Sequence, residues 1–445
     1  MKLLKTIFIK NDLGVDMNKH NFTPETLYRL PWNLADNAIS WLEPTSQCNL
    51  YCDGCYRENR KYSHQPLDEV REELMVFKNN RKTDSVSIAG GEPLLHPHIV
   101  EIVKMVKELG WKPVINSNGE LLTPELLHEL KEAGVTGFTF HIDSGQKRKG
   151  WNGKNELELN ELRYKLAKML KDEGGISCSF NMTVYPENIK YVPQLIKWGQ
   201  EHIDMVHVMV FILYRAAFRN EYDYYVGTDK VDLDNLFYNK EDSPERSELS
   251  SPELVDLIRT EYPDFMPCAF LNGTKKPDSY KWLLTGRLAN KHKVFGYVGP
   301  KFMEVVQTFK HVFTDSYLAY AKPTLIRKAR LYFLLSFIDK GIWKACKNYF
   351  RSIIENPKAF FSRVHYQSIM IIQPVDHLEN GEMNMCDGCP DITTYNNKLV
   401  WSCRLEELYK YGEWMRAIPK EKKEPVKIYE NINNVEKSTE EIPSK

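Results

Sequence analysis

The chain has 445 residues, 42% of them apolar and 27% charged, with Lys plus Arg equal to Asp plus Glu. This is the composition of a globular protein with a large core, organised as two or three domains or as one α/β barrel with additions. Zero net charge excludes a chain-wide field for polyanions, so no nucleic acid is expected as a partner. Nine cysteines in so long a chain do not make a disulfide framework. Six of them fall in two tight groups, which reads as metal binding in a reducing compartment. No cleavage-like site follows Met1 to Lys10, and no uncharged run approaches the ~20 residues of a membrane span. The cytoplasm is the default expectation.

Residues 1–35 read as a short strand and a loop leading in. Ala38 to Glu43 alternates as a first strand. It runs directly into Cys48-Asn49-Leu50-Tyr51-Cys52-Asp53-Gly54-Cys55-Tyr56. Three thiols on one loop can hold three corners of an iron–sulfur cube and leave the fourth iron open to a ligand. Zinc would instead take two of these thiols and a distant partner, and unligated thiols are a third reading. Pro66 to Asn79 reads as a helix. Ser85 to Ala89 is a second strand ending in Gly90-Gly91-Glu92-Pro93, where two glycines permit close backbone approach or a plain turn.

The alternation continues with a helix (Ile99 to Leu109), a strand (Lys112 to Ile115) and the loop Asn116-Ser117-Asn118-Gly119. A helix (Pro124 to Ala133) leads to the strand Gly137 to Ile142, closed by Asp143-Ser144-Gly145. His141 on that strand reads as a packing histidine. Then come a helix (Glu156 to Asp172), a strand (Ile176 to Val184), a helix (Tyr191 to His202) and a strand (Met205 to Leu213). Six strands alternating with helices imply a parallel sheet. Periodicity alone does not separate a barrel from an open sheet.

The three-cysteine loop with its following aromatic residue, and then Gly90-Gly91-Glu92-Pro93, resemble the radical S-adenosylmethionine (SAM) superfamily. The resemblance implies a partial (βα)6 TIM-like barrel over residues 36–215. It implies a [4Fe-4S] cluster on Cys48, Cys52 and Cys55. It implies SAM held by Tyr56, Gly90, Gly91, Glu92, Pro93, Ser117, Asn118 and Ser144, with the Glu92 carboxylate toward the methionine ammonium. The implied chemistry is reductive cleavage of SAM to a 5′-deoxyadenosyl radical that takes hydrogen from a substrate. The electron would come from a reductant such as ferredoxin or flavodoxin. The substrate class stays open between a peptide, a small metabolite and a lipid chain. The alternative is a non-catalytic iron–sulfur or zinc protein that binds metal or carries electrons and needs no SAM site.

Residues 216–318 read as a linker and mixed segment, polar at first, with a helix from Pro252 to Arg259. Residues 319–372 are a helical segment of the extension. Within it, Tyr320 to Val364 carries ten Lys and Arg against Asp339 and Glu355, interleaved with aromatic and aliphatic residues. Such helices suit a bilayer surface or an anionic amphiphile, giving an enzyme peripheral to a membrane. They equally suit a cover on the barrel, apolar side inward and cations in water. Residues 373–412 hold Cys386, Cys389 and Cys403, spaced for a second cluster or for zinc with one more ligand. The resemblance here is to the auxiliary-cluster regions of MoaA, SPASM and Twitch type, and Cys268 is a candidate to complete the set. Cys178 and Cys346 read as buried thiols. Residues 413–445 are expected to be a disordered tail.

Overall fold

The computed structural model describes residues 22–233 and 249–420. Strands β1 (Tyr28–Arg29) and β2 (Ile39–Leu42) are followed by helix α1 (Leu67–Asn80). Strict alternation then gives β3 (Ser85–Ile88), α2 (Ile99–Glu108), β4 (Lys112–Ser117), α3 (Pro124–Glu132), β5 (Gly137–His141), α4 (Asn160–Glu173), β6 (Ser177–Val184), α5 (Val192–Glu201) and β7 (Val208–Leu213). Strands β2 to β7 pair in sequence order and all in parallel. Period 2 decides the faces. Leu42, Ile88, Ile115, Phe138, Phe180 and Phe211 pack with Leu74, Phe77, Val103 and Leu166 of the helices in one buried core. The other face carries polar residues, including Asn116 opposite Thr139 and His141 opposite Asn181.

The linker and mixed segment, residues 216–318, carries regular elements among its described residues. It holds β8 (Tyr222–Val226), β9 (Asp229–Lys230), α6 (Ser251–Arg259), β10 (Ala269–Leu271), β11 (Trp282–Ala289), β12 (Val294–Tyr297) and α7 (Pro300–Thr314). The extension is helical in α8 (Pro323–Ile326) and α9 (Lys340–Glu355) and then returns to strand in β13 (His365–Ile372). This last strand, buried at every second residue, lies parallel beside β7 as a seventh member of the run. The sheet continues antiparallel through β11 and β10 and ends on β1. Two short hairpins follow, β14 (Asp376–His377) with β15 (Met383–Asn384) and β16 (Ile392–Tyr395) with β17 (Lys398–Trp401), and then α10 (Leu405–Tyr411).

Part of the segment expected as a disordered tail, residues 413–445, is structured. Strand β18 (Arg416–Pro419) pairs with β8, and Met415 and Ala417 are buried against Tyr222 and Tyr224. Two apolar side chains at alternate positions suffice to dock it, although its surroundings in sequence are charged. Residues 421–445 lie outside the described residues. Among the described residues no helix is long and apolar enough to cross a membrane.

Candidate active site

Parallel strands put all their C-terminal ends on one side, and the candidate residues follow those ends. The three-cysteine loop leaves β2 and is fastened to the end of each of the next five strands. Toward β3, Gly91 N–H donates to the Thr45 carbonyl and Glu92 N–H to that of Gln47, both at 2.8 Å. At β4, Asn118 Nδ2 donates to Asn49 Oδ1 at 2.7 Å. At β5, Asp53 N–H donates to the Gly145 carbonyl at 3.1 Å and Gln146 Nε2 to Cys52 Sγ at 3.6 Å. At β6, the Tyr185 hydroxyl donates to the Asp53 carbonyl at 2.7 Å. At β7, the Tyr56 hydroxyl donates to the Arg215 carbonyl at 2.8 Å.

The paired glycines serve this fastening. A Cβ on Gly90 would stand 2.1 Å from the Thr45 carbonyl oxygen, and one on Gly91 2.2 Å from that of Gln47. Gly90 also has φ +106°, which side-chain-bearing residues avoid. The close approach the sequence suggested is therefore made by the protein's own loop.

Glu92 is fully buried. Its carboxylate accepts from Leu94 N–H at 3.0 Å, the Ser117 hydroxyl at 2.8 Å and Asn118 N–H at 2.7 Å. Burial pushes its pKa up, and these hydrogen bonds oppose that shift. A carboxylate has about four lone-pair sites, so about one remains for a ligand. Glu92, Ser117 and Asn118 thus form one cluster linking the ends of β3 and β4. Pro93 opens the short helical turn that Glu92 caps. Ser144 follows β5, and its N–H donates to buried Glu156 at 2.8 Å. His141 pairs with buried Asp143 at 2.7 Å, a satisfied histidine as its strand position suggested.

Several residues here carried no sequence signal. Buried Arg148 donates to the Asn118 and His141 carbonyls at 2.6 and 2.8 Å, so its cation lies behind the SAM-motif loops. Arg57 follows Tyr56 and pairs with Glu43 on the end of β2, both side chains being almost fully buried. Its guanidinium also donates to the Ser402 carbonyl at 2.5 Å, and the Ser402 hydroxyl donates to Glu43 at 2.7 Å. Ser402 immediately precedes Cys403, so the second thiol group stands directly beside the first.

In that second group Cys386, Cys389 and Cys403 lie within electrostatic reach of one another. The loop between the pair is held from outside. Arg29 binds Asp387 at 2.6 Å, Asn37 Nδ2 donates to the Gly388 carbonyl at 3.0 Å, and buried Arg81 donates to the Cys389 carbonyl at 3.0 Å. Gly388 has φ +70°, and a Cβ there would meet the Trp32 carbonyl at 2.1 Å. The lead-in residues therefore buttress this loop. Cys268 is not brought to the trio. Its thiol donates to the Leu284 carbonyl at 3.3 Å, whereas Gly273, five residues on, is the one bridged to Cys386. Five extended residues span roughly 16 Å.

A cavity of about 420 Å³ opens where Arg215, after β7, meets the β14–β15 hairpin. Arg215, Arg219, Lys276, Asp376, His377 and Asn384 line it. Asp376 bridges Arg215 at 2.6 Å and Lys281 at 2.5 Å. Burial opposes ionisation there, yet the two cations bring its carboxyl down to about 2. Burial takes His377 down to about 4, so it is neutral at pH 7. Cations outnumber anions in this wall.

The model of the radical SAM superfamily matches residues 42–199. Those residues are a radical SAM domain. Such a domain implies a 4Fe-4S cluster and SAM. Over 168 residues the chain is 29% identical to the tungsten-containing aldehyde ferredoxin oxidoreductase cofactor-modifying protein of Pyrococcus furiosus, covering 36% of this chain and 47% of that one. Over 230 residues it is 25% identical to the AdoMet-dependent heme synthase of Methanosarcina barkeri, covering 51% and 65%. The chain thus spans less than two thirds of either relative. Among solved structures it is similar to SuiB of Streptococcus suis bound to the precursor peptide SuiA, at 19% identity and TM-score 0.34, over 48% of this chain and 50% of that one.

The radical SAM domain's own thiols fit the cluster. Burial pushes Cys48 up to about 11 and raises Cys52 as well, so without a cation both stay protonated at pH 7. A metal reverses this, because only thiolates ligate. N–H groups already point at the sulfurs, Leu50 N–H at Cys48 Sγ (3.4 Å) and Gln146 Nε2 at Cys52 Sγ. Such donors support ligating sulfur. Among the described residues no three His, Cys, Asp or Glu side chains converge on one ion. In a cube each thiolate takes a different iron, so its ligands need not converge.

Proposed function

We propose that the chain is a radical SAM enzyme whose cluster-bearing loop is Cys48, Cys52 and Cys55, acting on a substrate held at the C-terminal ends of its parallel strands. Cluster and SAM together supply one-electron reductive cleavage of the sulfonium and so a hydrogen-abstracting radical. The chain's own residues fix where this happens. The observation that carries the reading is the fastening of the three-cysteine loop by hydrogen bonds to five successive strand ends, which fixes the place of its three thiols. Glu92 orients Ser117 and Asn118, and Tyr56 and Tyr185 close the loop from the side of β6 and β7. Ferredoxin or flavodoxin is the class of electron donor that fits. Cys386, Cys389 and Cys403 hold a second iron–sulfur cluster, buried beside the first site and joined to it through Arg57 and Ser402.

The cationic cavity supports a substrate with an anionic group, such as the carboxylate of a peptide or a phosphorylated metabolite. Arg219→Gln is expected to raise KM for such a substrate more than it lowers kcat.

The test is 5′-deoxyadenosine formation after anaerobic reconstitution and dithionite reduction. Wild type should form it and Cys52→Ala should not. Product retained in Cys52→Ala would reject the ligand assignment. A wild type loaded with iron and still inert would favour a non-catalytic iron–sulfur carrier.

A further inference from the structure

Thirteen of the twenty-two exposed large apolar side chains among the described residues fall between residues 300 and 361. Single exposed apolar residues are ordinary on any surface, but crowding into one short stretch of the chain is not scatter. The stretch does have a buried side. Phe302 and Met303 of α7 and Ile342, Ala345 and Tyr349 of α9 pack into one core. Buried Asp339 ties the helices together, accepting from Gly299 and Phe302 N–H at the start of α7 and from Ile342 N–H in α9, each at 2.9 Å.

The opposite sides are apolar too, each with the period of its own element. On α9 the exposed residues Trp343, Phe350 and Ile354 fall seven and four apart, on one side of an α-helix. Along the 3-10 turn Ala329–Leu335 and just past it, Leu331, Leu334 and Phe337 are exposed at intervals of three. On α7, Phe309, Val312 and Phe313 are exposed, with the two Phe rings 4.4 Å apart. Phe360 and Phe361 add two exposed rings at the far end of α9. These side chains are neither core nor cover: the residues that cover the core are a different set on the same helices.

Charge selects the occupant. Residues 300–361 carry eleven Lys and Arg against four Asp and Glu in a chain of zero net charge. One of the four anions, Asp339, is buried. Lys340, Lys347, Arg351 and Lys358 are exposed among the apolar residues, and Lys347 lies over the Trp343 ring at 5.7 Å. A second copy of this face would bring like charge against like. We propose that residues 300–361 form a membrane-docking face that lies on an anionic lipid bilayer, apolar side chains below the headgroups and lysines among them. Long basic side chains suit this because their stems stay in the apolar layer while the charge reaches the headgroups. Each such cation near an anionic surface adds to the attraction.

Full-length protein should co-sediment with vesicles of phosphatidylcholine mixed with phosphatidylglycerol about tenfold or more better than with phosphatidylcholine alone, and added salt should weaken this binding. Phe337→Glu combined with Ile354→Glu changes only side chains already in solvent. It should keep the far-UV circular dichroism and the iron content of the wild type and lose about tenfold or more of the vesicle binding. Wild type that sediments with neither vesicle, or a variant that binds as well as wild type, overturns the proposal and leaves the face to an acidic protein partner. A dimer by light scattering that the variant converts to monomer overturns it in favour of a second copy. These readouts measure binding and oligomeric state, so they stand whether or not SAM is cleaved.

Discussion

Arg57 and Ser402, 345 residues apart in sequence, meet through a guanidinium-to-carbonyl hydrogen bond of 2.5 Å. Arg57 follows Tyr56 in the first thiol loop and Ser402 precedes Cys403 in the second, so this contact sets the two loops against each other. Glu43 lies between them, accepting from Arg57, from the Ser402 hydroxyl and from Trp41 Nε1 at 2.9 Å. The Arg57 and Glu43 side chains and Ser402 are buried.

Arg57→Ala removes the cation and leaves the Glu43 carboxylate buried without it. Breaking a buried pair from one side costs about 3–5 kcal/mol. Denaturant unfolding should show a loss of that order, and iron content should fall because both loops lose their shared anchor. Arg57→Lys cannot reach Glu43 and Ser402 in the same forked geometry and should recover only part of the loss. Wild-type stability in Arg57→Ala would show that the contact holds nothing in place.

Gly91→Ala tests what the paired glycines are for. The added Cβ meets a backbone oxygen at 2.2 Å, which no rotamer change relieves. The loop carrying Cys48 has to move away from the end of β3, at a cost of about 1–3 kcal/mol. Reconstituted protein should then hold less iron per chain, even though every cysteine is intact. A SAM-contact role alone would leave iron content unchanged and weaken only SAM binding.

The six-strand alternation was legible because each strand and helix carries its own apolar period, and the cores of both are local in sequence. The three thiols were legible because they share one loop. The role of Gly90 and Gly91 was not, since their neighbours Thr45 to Gln47 lie on a preceding strand end and come close only in the folded sheet. Arg57, Arg81 and Arg148 carried no signal, because burial of an arginine leaves no trace in its neighbours. Strand β13 was hard to read because two of its alternately buried residues, His365 and Gln367, are polar. The basic aromatic run before it drew the whole segment toward helix. Cys268 looked available as a ligand from composition alone, and only the register of β10 separates it from Cys386.

That register makes a sharp comparison possible. Cys386→Ala should remove one cluster's worth of iron and sulfide, about four of each per chain. 5′-Deoxyadenosine should still form, because Cys48, Cys52 and Cys55 are untouched. Cys268→Ala should leave the iron and sulfide counts at the wild-type level. Equal iron loss in both variants would bring Cys268 into the ligand set, and no loss in Cys386→Ala would remove the second cluster.

Asp376 gives the cavity wall a dependence on pH. Its carboxyl is held at about 2, below the ordinary 3.8, because Arg215 and Lys281 outweigh burial. A carboxyl whose folded pKa is depressed stabilises the fold fully above the unfolded value. That contribution is lost as pH falls from about 4 toward about 2. The size follows from the shift, about 2 kcal/mol. Asp376→Asn should therefore unfold at lower denaturant than wild type at pH 6. The gap between the two should close as pH falls through that window, since the protonated Asp376 no longer pairs with either cation. A gap of the same size at pH 3 as at pH 6 would mean that the pair with Arg215 and Lys281 does not hold the β14–β15 hairpin against the end of β7.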